Sequence, residues 1–145
     1  MREARDAQSI LALARKLLRE SGQSNTAVEE PIEVRSPEGG LHSWFVPVSS
    51  GRLIAGFYEF LPDGTLKRFS TYRSDQALSD WLVPEKRVNC RPGETTGKPF
   101  LTYDRSPDRL VWAVPLVNER KESRLVFVAG ETAYPPPDAV GQETG

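Results

Sequence analysis

LHSWFVPVSSGRLIAGFYEFLPDGTLKRFSTY, residues Leu41 to Tyr72, is the stretch that decides the fold. Two turn signals, Ser49-Ser50-Gly51 and Pro62-Asp63-Gly64, divide it into three extended runs. Each run is rich in β-branched and aromatic residues, which favour pleated strands. The stretch therefore predicts a three-stranded antiparallel meander.

Part of this stretch returns 68 residues later, from Trp44 to Trp112. The segment Trp44–Val48 matches Trp112–Leu116, and the same offset carries Pro31 onto Pro99. Fixed offsets of this kind are typical of internal repeats. We interpret the match as a duplication, with a chance match in a β-rich chain as the alternative. The offset also aligns three apolar residues of each predicted helix, which are Ile10, Leu13 and Ala14 with Leu78, Trp81 and Leu82.

Two helices are predicted, one at the start of each half. Apolar residues recur every three or four positions over Glu3 to Ser21, and Gly22 supplies a left-handed stop. We expect this helix to pack on a sheet, with membrane binding by a basic amphipathic helix as the alternative. The second helix is expected after Ser74 as N-cap and before Pro84. Its apolar face is formed by Ala77, Leu78, Trp81 and Leu82.

The predicted fold class is α+β, with two helix-plus-antiparallel-meander repeats and helices packed on antiparallel β-sheet. Residues 1–73 are expected to form the first repeat, 74–137 the second, and 138–145 a disordered tail. Pro47 and Pro115 lie at matched places inside strands. Because proline donates no hydrogen bond, we expect an edge or a bend at both places.

Composition limits the classes of function. The chain has 145 residues and a formal net charge of −1, which argues against a nucleic-acid partner. Its single cysteine, Cys90, excludes an internal disulfide and a cysteine-based metal cluster. No apolar run approaches the roughly 20 residues that a membrane span needs. The start of the sequence has no signal-peptide pattern, which predicts a soluble cytoplasmic protein, or an extracytoplasmic one if a signal sequence had been removed.

No group of residues specifies a chemistry. His42 is the sole histidine, so a transition-metal site is not expected. Cys90 lies between Arg87 and Arg91 and is a candidate reactive thiol, but a Cys90–His42 pair requires tertiary proximity. The aspartates occupy turn and cap positions, where Asp acts on its own backbone. We therefore predict no catalytic residues, no metal and no cofactor.

The order of helix, short strand, Trp-bearing strand, strand and Asp-Gly turn resembles the PepSY-type module and, more loosely, the cystatin-like α+β folds. The residues that carry the resemblance are Ile32–Val34, Trp44–Val48, and Phe57–Phe60 running on to Asp63–Leu66. The resemblance implies an extracytoplasmic domain that binds or inhibits a peptidase.

These observations predict a non-enzymatic binding module with a protein or peptide partner. The irregular, charged stretch Pro84–Lys98 is a candidate functional loop. Two alternatives stay open: a small-ligand binder or enzyme that uses Cys90 and His42, and a structural or accessory subunit. The partner's identity and the oligomeric state are not indicated. The candidate partner-binding residues are Trp44, Pro47, Trp112, Pro115, Arg87 and Arg91, with a core role as the alternative for the tryptophans.

Overall fold

Ten strands and one helix of more than a single turn make up the described part of the chain. The computed structural model describes residues 5–136, so the predicted tail at 138–145 lies outside the described residues. The chain divides into two compact units. Unit 1 comprises Met1–Val34 and Gly39–Asp80, and unit 2 comprises Arg35–Glu38 and Trp81–Gly145.

Unit 1 contains one helix and an antiparallel hairpin system. Its strand order is β2-β3-β4-β5, with the two-residue β1 also beside β3. The β1/β3, β3/β4 and β4/β5 pairs are antiparallel. The predicted three-stranded meander is therefore confirmed as β3, β4 and β5. The elements are α1 (Ala7–Ser21), β1 (Ala27–Val28), β2 (Ile32–Arg35), β3 (Leu41–Ser50), β4 (Leu53–Phe60) and β5 (Leu66–Thr71).

Unit 2 has the strand order β10-β9-β8-β7, with the two-residue β6 also beside β8. One helical turn, α2, lies where the sequence passes from unit 1 to unit 2. A 3₁₀ turn, Pro84–Arg87, follows it. The elements are α2 (Leu78–Trp81), β6 (Thr95–Thr96), β7 (Phe100–Tyr103), β8 (Leu110–Val117), β9 (Ser123–Ala129) and β10 (Thr132–Tyr134).

Helix α1 begins and ends at residues with a clear capping role. The Asp6 carboxylate accepts a hydrogen bond of 2.8 Å from the Ser9 amide, which explains why the helix starts after Asp6. Gly22 ends it in the left-handed conformation, so the predicted stop is confirmed. The buried stripe Ile10, Ala14 and Leu18 packs on one face of the sheet, against Trp44, Val46, Val48, Tyr58 and Phe60.

The predicted fold class, two helix-plus-meander repeats, is wrong. The second helix is a single turn with no buried residue, so the fold is dominated by its strands. The cause is a backbone pairing that the sequence does not reveal. Ala77 forms a bridge with Leu53, and the Leu78 amide donates to the Arg52 carbonyl, so this segment continues the sheet of β4. Ser74 does not cap a helix, because α2 begins only at Leu78; its hydroxyl donates to the Ile54 carbonyl at 2.7 Å and accepts from the Gln76 amide at 3.3 Å.

The two long hairpins share one register at the offset of 68. Trp44 on β3 lies opposite Phe60 on β4, and Trp112 on β8 lies opposite Val128 on β9. The likeness of the two halves is thus limited to their strands. The segments with helical periodicity at the same offset fold differently.

The prolines inside β3 and β8 do not mark open edges, so that alternative of our prediction is wrong. The alternative of a bend stays a prediction, and the pairing of β3 with β4 shifts register between Val48 and Ser49, next to Pro47. Pro47 has β4 on one side, and on the other side the neighbour changes from β1 to β2. Pro115 likewise lies where the neighbour of β8 changes from β6 to β7. The Glu29 amide donates to the Pro47 carbonyl at 2.8 Å, and the Gly97 amide donates to the Pro115 carbonyl at 2.7 Å. A residue without an amide hydrogen fits at this place because its backbone only has to accept a hydrogen bond there, and does not have to donate one.

Candidate functional site

The outer edge of β5 is a free strand edge within residues 5–136. Strand β5 pairs with β4 on one side, and no strand is described on its other side. The Tyr72 amide donates to the Ala55 carbonyl at 3.0 Å, which fixes the alternation along the strand. In an antiparallel ladder the intervening residues direct their backbone groups away from the partner. The amides and carbonyls of Phe69 and Thr71 therefore point outward.

Apolar side chains lie along this edge, beside two features that protect edges, namely the charges of Lys67 and Arg68 and a register shift against β4. Phe69 is 62% exposed and touches Tyr58 on the adjacent strand, with ring centroids 6.0 Å apart. Leu66 and Tyr72 are also exposed. Natural sheets protect free edges with charges, prolines, bulges or short strands, because an unpaired edge invites another strand. The six-residue β5 thus combines an open ladder with an exposed aromatic ring.

Strand β5 is held close to β4 at Gly56. The φ angle of Gly56 is +151°, a conformation that residues with a Cβ rarely adopt. A Cβ at this position would overlap the carbonyl oxygen of Ser70. Glycine therefore allows the two backbones to approach, and the edge strand is fixed in place.

A buried carboxylate ties the charged residues of β5 to the same sheet. The Glu59 side chain is fully buried, and its Oε1 accepts a hydrogen bond of 2.6 Å from the Nε of Arg68. Its Oε2 accepts a hydrogen bond of 2.6 Å from the Ser43 hydroxyl and lies 3.4 Å from the Lys67 Nζ. Lys67 in turn lies 3.4 Å from the Nε2 of His42. We call Ser43, Glu59, Lys67 and Arg68 the Glu59 cluster.

Basic side chains lie along β5 and just past its end. Lys67 and Arg68 contact the Glu59 carboxylate, and Arg73 follows the end of the strand. The guanidinium of Arg68 also lies over the Phe57 ring, 5.3 Å from its centroid. This contact and the ion pair position Arg68. The edge therefore carries basic as well as apolar side chains.

Three of the six residues predicted to contact a partner are core residues. Trp44 and Trp112 are 6% and 8% exposed, and Pro47 is fully buried. The ring of Trp112 packs on Trp81, with centroids 5.0 Å apart. These positions match the core role that the sequence analysis held as the alternative for the tryptophans.

The other three predicted contact residues lie in unit 2. Pro115 is half-buried, whereas Arg87 and Arg91 are exposed. Arg87 lies 3.9 Å from the exposed carboxylate of Glu131, at the limit of an ion pair. Binding of a partner through Arg87 and Arg91 stays a prediction.

His42 and Cys90 lie in different units. His42 is part of β3 and neighbours Lys67, while Cys90 is exposed in the segment before β6. Among residues 5–136 there is no group of three or more His, Cys, Asp or Glu residues placed to hold a metal ion. An enzyme or ligand binder that uses this pair stays an alternative hypothesis.

The predicted loop Pro84–Lys98 is anchored to unit 2 by a bidentate ion pair. Arg124 on β9 donates to both oxygens of Glu94, at 2.8 and 2.9 Å. The Arg91 amide donates to the same carboxylate at 2.7 Å. These hydrogen bonds lower the pKa of Glu94 to about 2, and the hydrogen bonding from Arg124 contributes most to this shift. The segment is therefore attached to the sheet and is not a detached loop.

This attachment predicts a pH dependence of the segment. Because the pKa of Glu94 falls from its ordinary 4.5 to about 2 in the folded chain, its stabilising effect is complete above pH 4.5. The effect is lost as the pH drops toward 2. We expect amide exchange of residues 89–94, measured by NMR, to accelerate over that interval relative to the rest of unit 2.

A matched pair of variants checks the assignment. Glu94→Gln should expose these amides already at neutral pH and remove their pH dependence. Glu38→Gln, a change at an exposed glutamate of unit 2 that is distant in sequence from residues 89–94, should leave the exchange profile as it is. An unchanged acid response in Glu94→Gln would assign the effect to another group.

A second buried acid in unit 2 has a structural role. The hydroxyl of Tyr134 on β10 donates to Asp104 Oδ2 at 2.6 Å, and Asp104 is almost fully buried. Burial, followed by this hydrogen bond, raises the pKa of Tyr134 to about 12. The phenol therefore keeps its proton at neutral pH and holds β10 to the turn after β7.

Sequence reasoning missed Phe69 and Glu59, which define the edge. Glu59 is the one acidic residue of an otherwise apolar run, and it lies across the Pro62-Asp63-Gly64 turn from Lys67 and Arg68. That charge pairing over a tight turn is a signal that could have identified the cluster. The exposure of Phe69 could not be inferred, because it depends on which strand is the outermost.

No helix within residues 5–136 is both long enough and apolar enough to cross a membrane. The resemblance to the PepSY-type module stays an expectation from the sequence pattern. Comparisons with protein-family models, with curated proteins and with solved structures gave no match to this chain.

Proposed function

We propose that this protein is a non-enzymatic binding module that takes up an extended peptide segment of a partner protein along the outer edge of β5. One observation carries the proposal: the edge presents the outward backbone groups of Phe69 and Thr71 beside a ring that is 62% exposed. In strand addition, backbone hydrogen bonds supply affinity and alternate side chains supply specificity. The β5 edge offers both kinds of contact.

The side-chain contact falls on the α1 face of the sheet. Phe69 lies opposite Tyr58, and Tyr58 belongs to the core cluster under α1. Because directly paired residues share a face, the ring of Phe69 extends that apolar surface to the free edge. A partner strand would place every second side chain on the face of the sheet that carries this ring, and one of them next to the ring. We therefore expect an aromatic or aliphatic residue in the bound segment.

The acidic side chains support a binding role over a catalytic one. Asp6 caps α1, and the Asp63 carboxylate accepts a hydrogen bond of 2.9 Å from the Thr65 amide in its own turn. Glu59, Glu94 and Asp104 are held in ion pairs or hydrogen bonds that fix strands and loops. A cytoplasmic location and the absence of nucleic-acid binding remain parts of the proposal that the sequence pattern alone supports.

A displayed library of short random peptides tests the edge. We expect selection on the full chain to enrich extended sequences that contain an aromatic or aliphatic residue. Thr71→Pro removes an outward amide and leaves the ladder to β4 intact, because the Thr71 amide does not donate to β4. It should weaken the selected peptides about tenfold, since each net hydrogen bond contributes on the order of 1 kcal/mol and the partner's carbonyl is left unpaired.

Phe69→Ser should weaken the same peptides by a similar factor. Leu125→Ser is the matched control, since Leu125 is an exposed strand residue of unit 2. Circular dichroism melting of each variant establishes that the chain is folded. The proposal is wrong if no peptide is enriched, or if the enriched peptides bind both β5 variants as tightly as the unaltered chain.

A further inference from the structure

A cleft of about 550 Å³ lies at the carboxyl end of β5 in unit 1. The first residues of β4 and the residues that follow β5 form one part of its lining. Gln23 and Thr26, from the connection between α1 and β1, form another. Its volume falls within the range of small-molecule sites in proteins. A segment bound along β5 would lead directly to this cleft.

The polar part of the lining includes one guanidinium and two hydroxyl groups that can donate hydrogen bonds to a ligand. Arg73 is exposed and has no ion pair or hydrogen bond described within residues 5–136. The hydroxyl oxygen of Thr26 is buried, and no hydrogen-bond partner is described for it in the same range. Burial raises the pKa of the Tyr72 phenol, which therefore keeps its proton as a donor. Asp75 is the one acidic side chain of the lining.

An apolar wall adjoins these donors. It is formed by the first three residues of β4, of which Leu53 is exposed and Ile54 is buried. A ligand that suits this lining carries an oxygen anion for Arg73 and a hydrocarbon group for Leu53. A carboxylate next to an apolar side chain meets both requirements, since a guanidinium binds a carboxylate in a planar, two-pronged arrangement.

We propose that this cleft binds the carboxylate of the segment that docks on β5, with Arg73 as the anion-binding residue. This inference rests on the proposed function and adds the chemical class that the site selects. The carboxylate has two sources, the C-terminus of the segment or an acidic side chain within it. The basic side chains of Arg68 and Arg73 at this edge favour an acidic segment from either source.

The test uses small carboxylates on the ¹⁵N-labelled full chain, followed by NMR. The probes are N-acetylphenylalanine, its amide, and N-acetylglutamic acid α-amide, which carries only a side-chain carboxylate. We expect N-acetylphenylalanine to shift the amides of Thr26 and of residues 71–75, and its amide to bind about tenfold more weakly. Comparable binding of the glutamate probe shows that the site accepts acidic side chains as well as C-termini, and its failure assigns the site to C-termini.

Three variants decide the role of the cleft. Arg73→Gln should weaken N-acetylphenylalanine about tenfold and leave its amide unchanged. Arg52→Gln removes the same charge from an exposed residue outside the lining and should have no effect. Phe69→Ser, which tests the edge alone, should also leave the small probes unaffected. Equal binding of the acid and the amide, or retained binding in Arg73→Gln, would refute the cleft while leaving strand addition on β5 intact.

Discussion

Phe60→Ala is expected to lower the free energy of unfolding by about 4 kcal/mol. Phe60 is 1% exposed and belongs to the core cluster between α1 and the β3–β4 hairpin. Its ring lies 6.3 Å from that of Tyr58 and directly opposite Trp44 on the paired strand. Removal of the ring leaves a cavity that the helix and sheet cannot close. Urea denaturation followed by circular dichroism measures the loss.

Phe69→Ala is the control for this change. It removes the same atoms from a ring that is largely in water, so its effect should stay below about 1 kcal/mol. Equal losses in the two variants would contradict the assignment of Phe60 to the core. The comparison also establishes whether Phe69 is available for binding rather than for stability.

Glu59→Ala is expected to cost about 3 kcal/mol. The variant leaves Arg68 and Lys67 without their carboxylate and the Ser43 hydroxyl without its acceptor. Removal of one partner of a buried ion pair is costly because the remaining charge stays desolvated. Since the side chains of Lys67 and Arg68 are partly exposed, we expect the lower end of the usual range. Urea denaturation again provides the measurement.

A double variant separates charge from packing at this site. Glu59→Leu combined with Arg68→Leu should recover part of the loss, because an apolar pair replaces the ionic one. The equivalent register position in unit 2 shows that the hairpin accepts such a residue, since Phe127 occupies it there. If the double variant is no more stable than Glu59→Ala, desolvated charge is not the cause.

The strands could be predicted because their signals are local. The turns at Ser49–Gly51 and Pro62–Gly64 and the β-branched runs between them locate β3, β4 and β5 within one or two residues. The first helix could be predicted equally well, since its apolar stripe and the Gly22 that ends it lie in one continuous segment of the sequence. The folded pairs confirm a meander that no long-range information was needed to find.

The errors have a common physical cause, which is pairing between residues distant in sequence. The segment around Ala77 has helical periodicity, but the start of β4 captures its backbone. The prolines at 47 and 115 suggested open edges or bends, whereas the outermost strands within residues 5–136 include β5 in unit 1 and β10 in unit 2, and neither contains a proline. Short β10 was missed because three residues before a proline run carry no periodic signal. Strand order is a tertiary property, so the candidate site was not predictable.

At the proline inside each long strand the neighbouring strand changes, so the hydrogen bonds on that side of the strand form two separate ladders. We expect the two ladders to open at different rates. Strands β1 and β6 are two residues long, and each ends at an amide that donates to a proline carbonyl. Such short ladders open at low free energy, while the hairpin on the opposite side of the strand stays closed. The amide hydrogens of Glu29 and Gly97 thus report the same partial opening in unit 1 and unit 2. We expect each of these two short strands to detach and re-form without global unfolding of its unit.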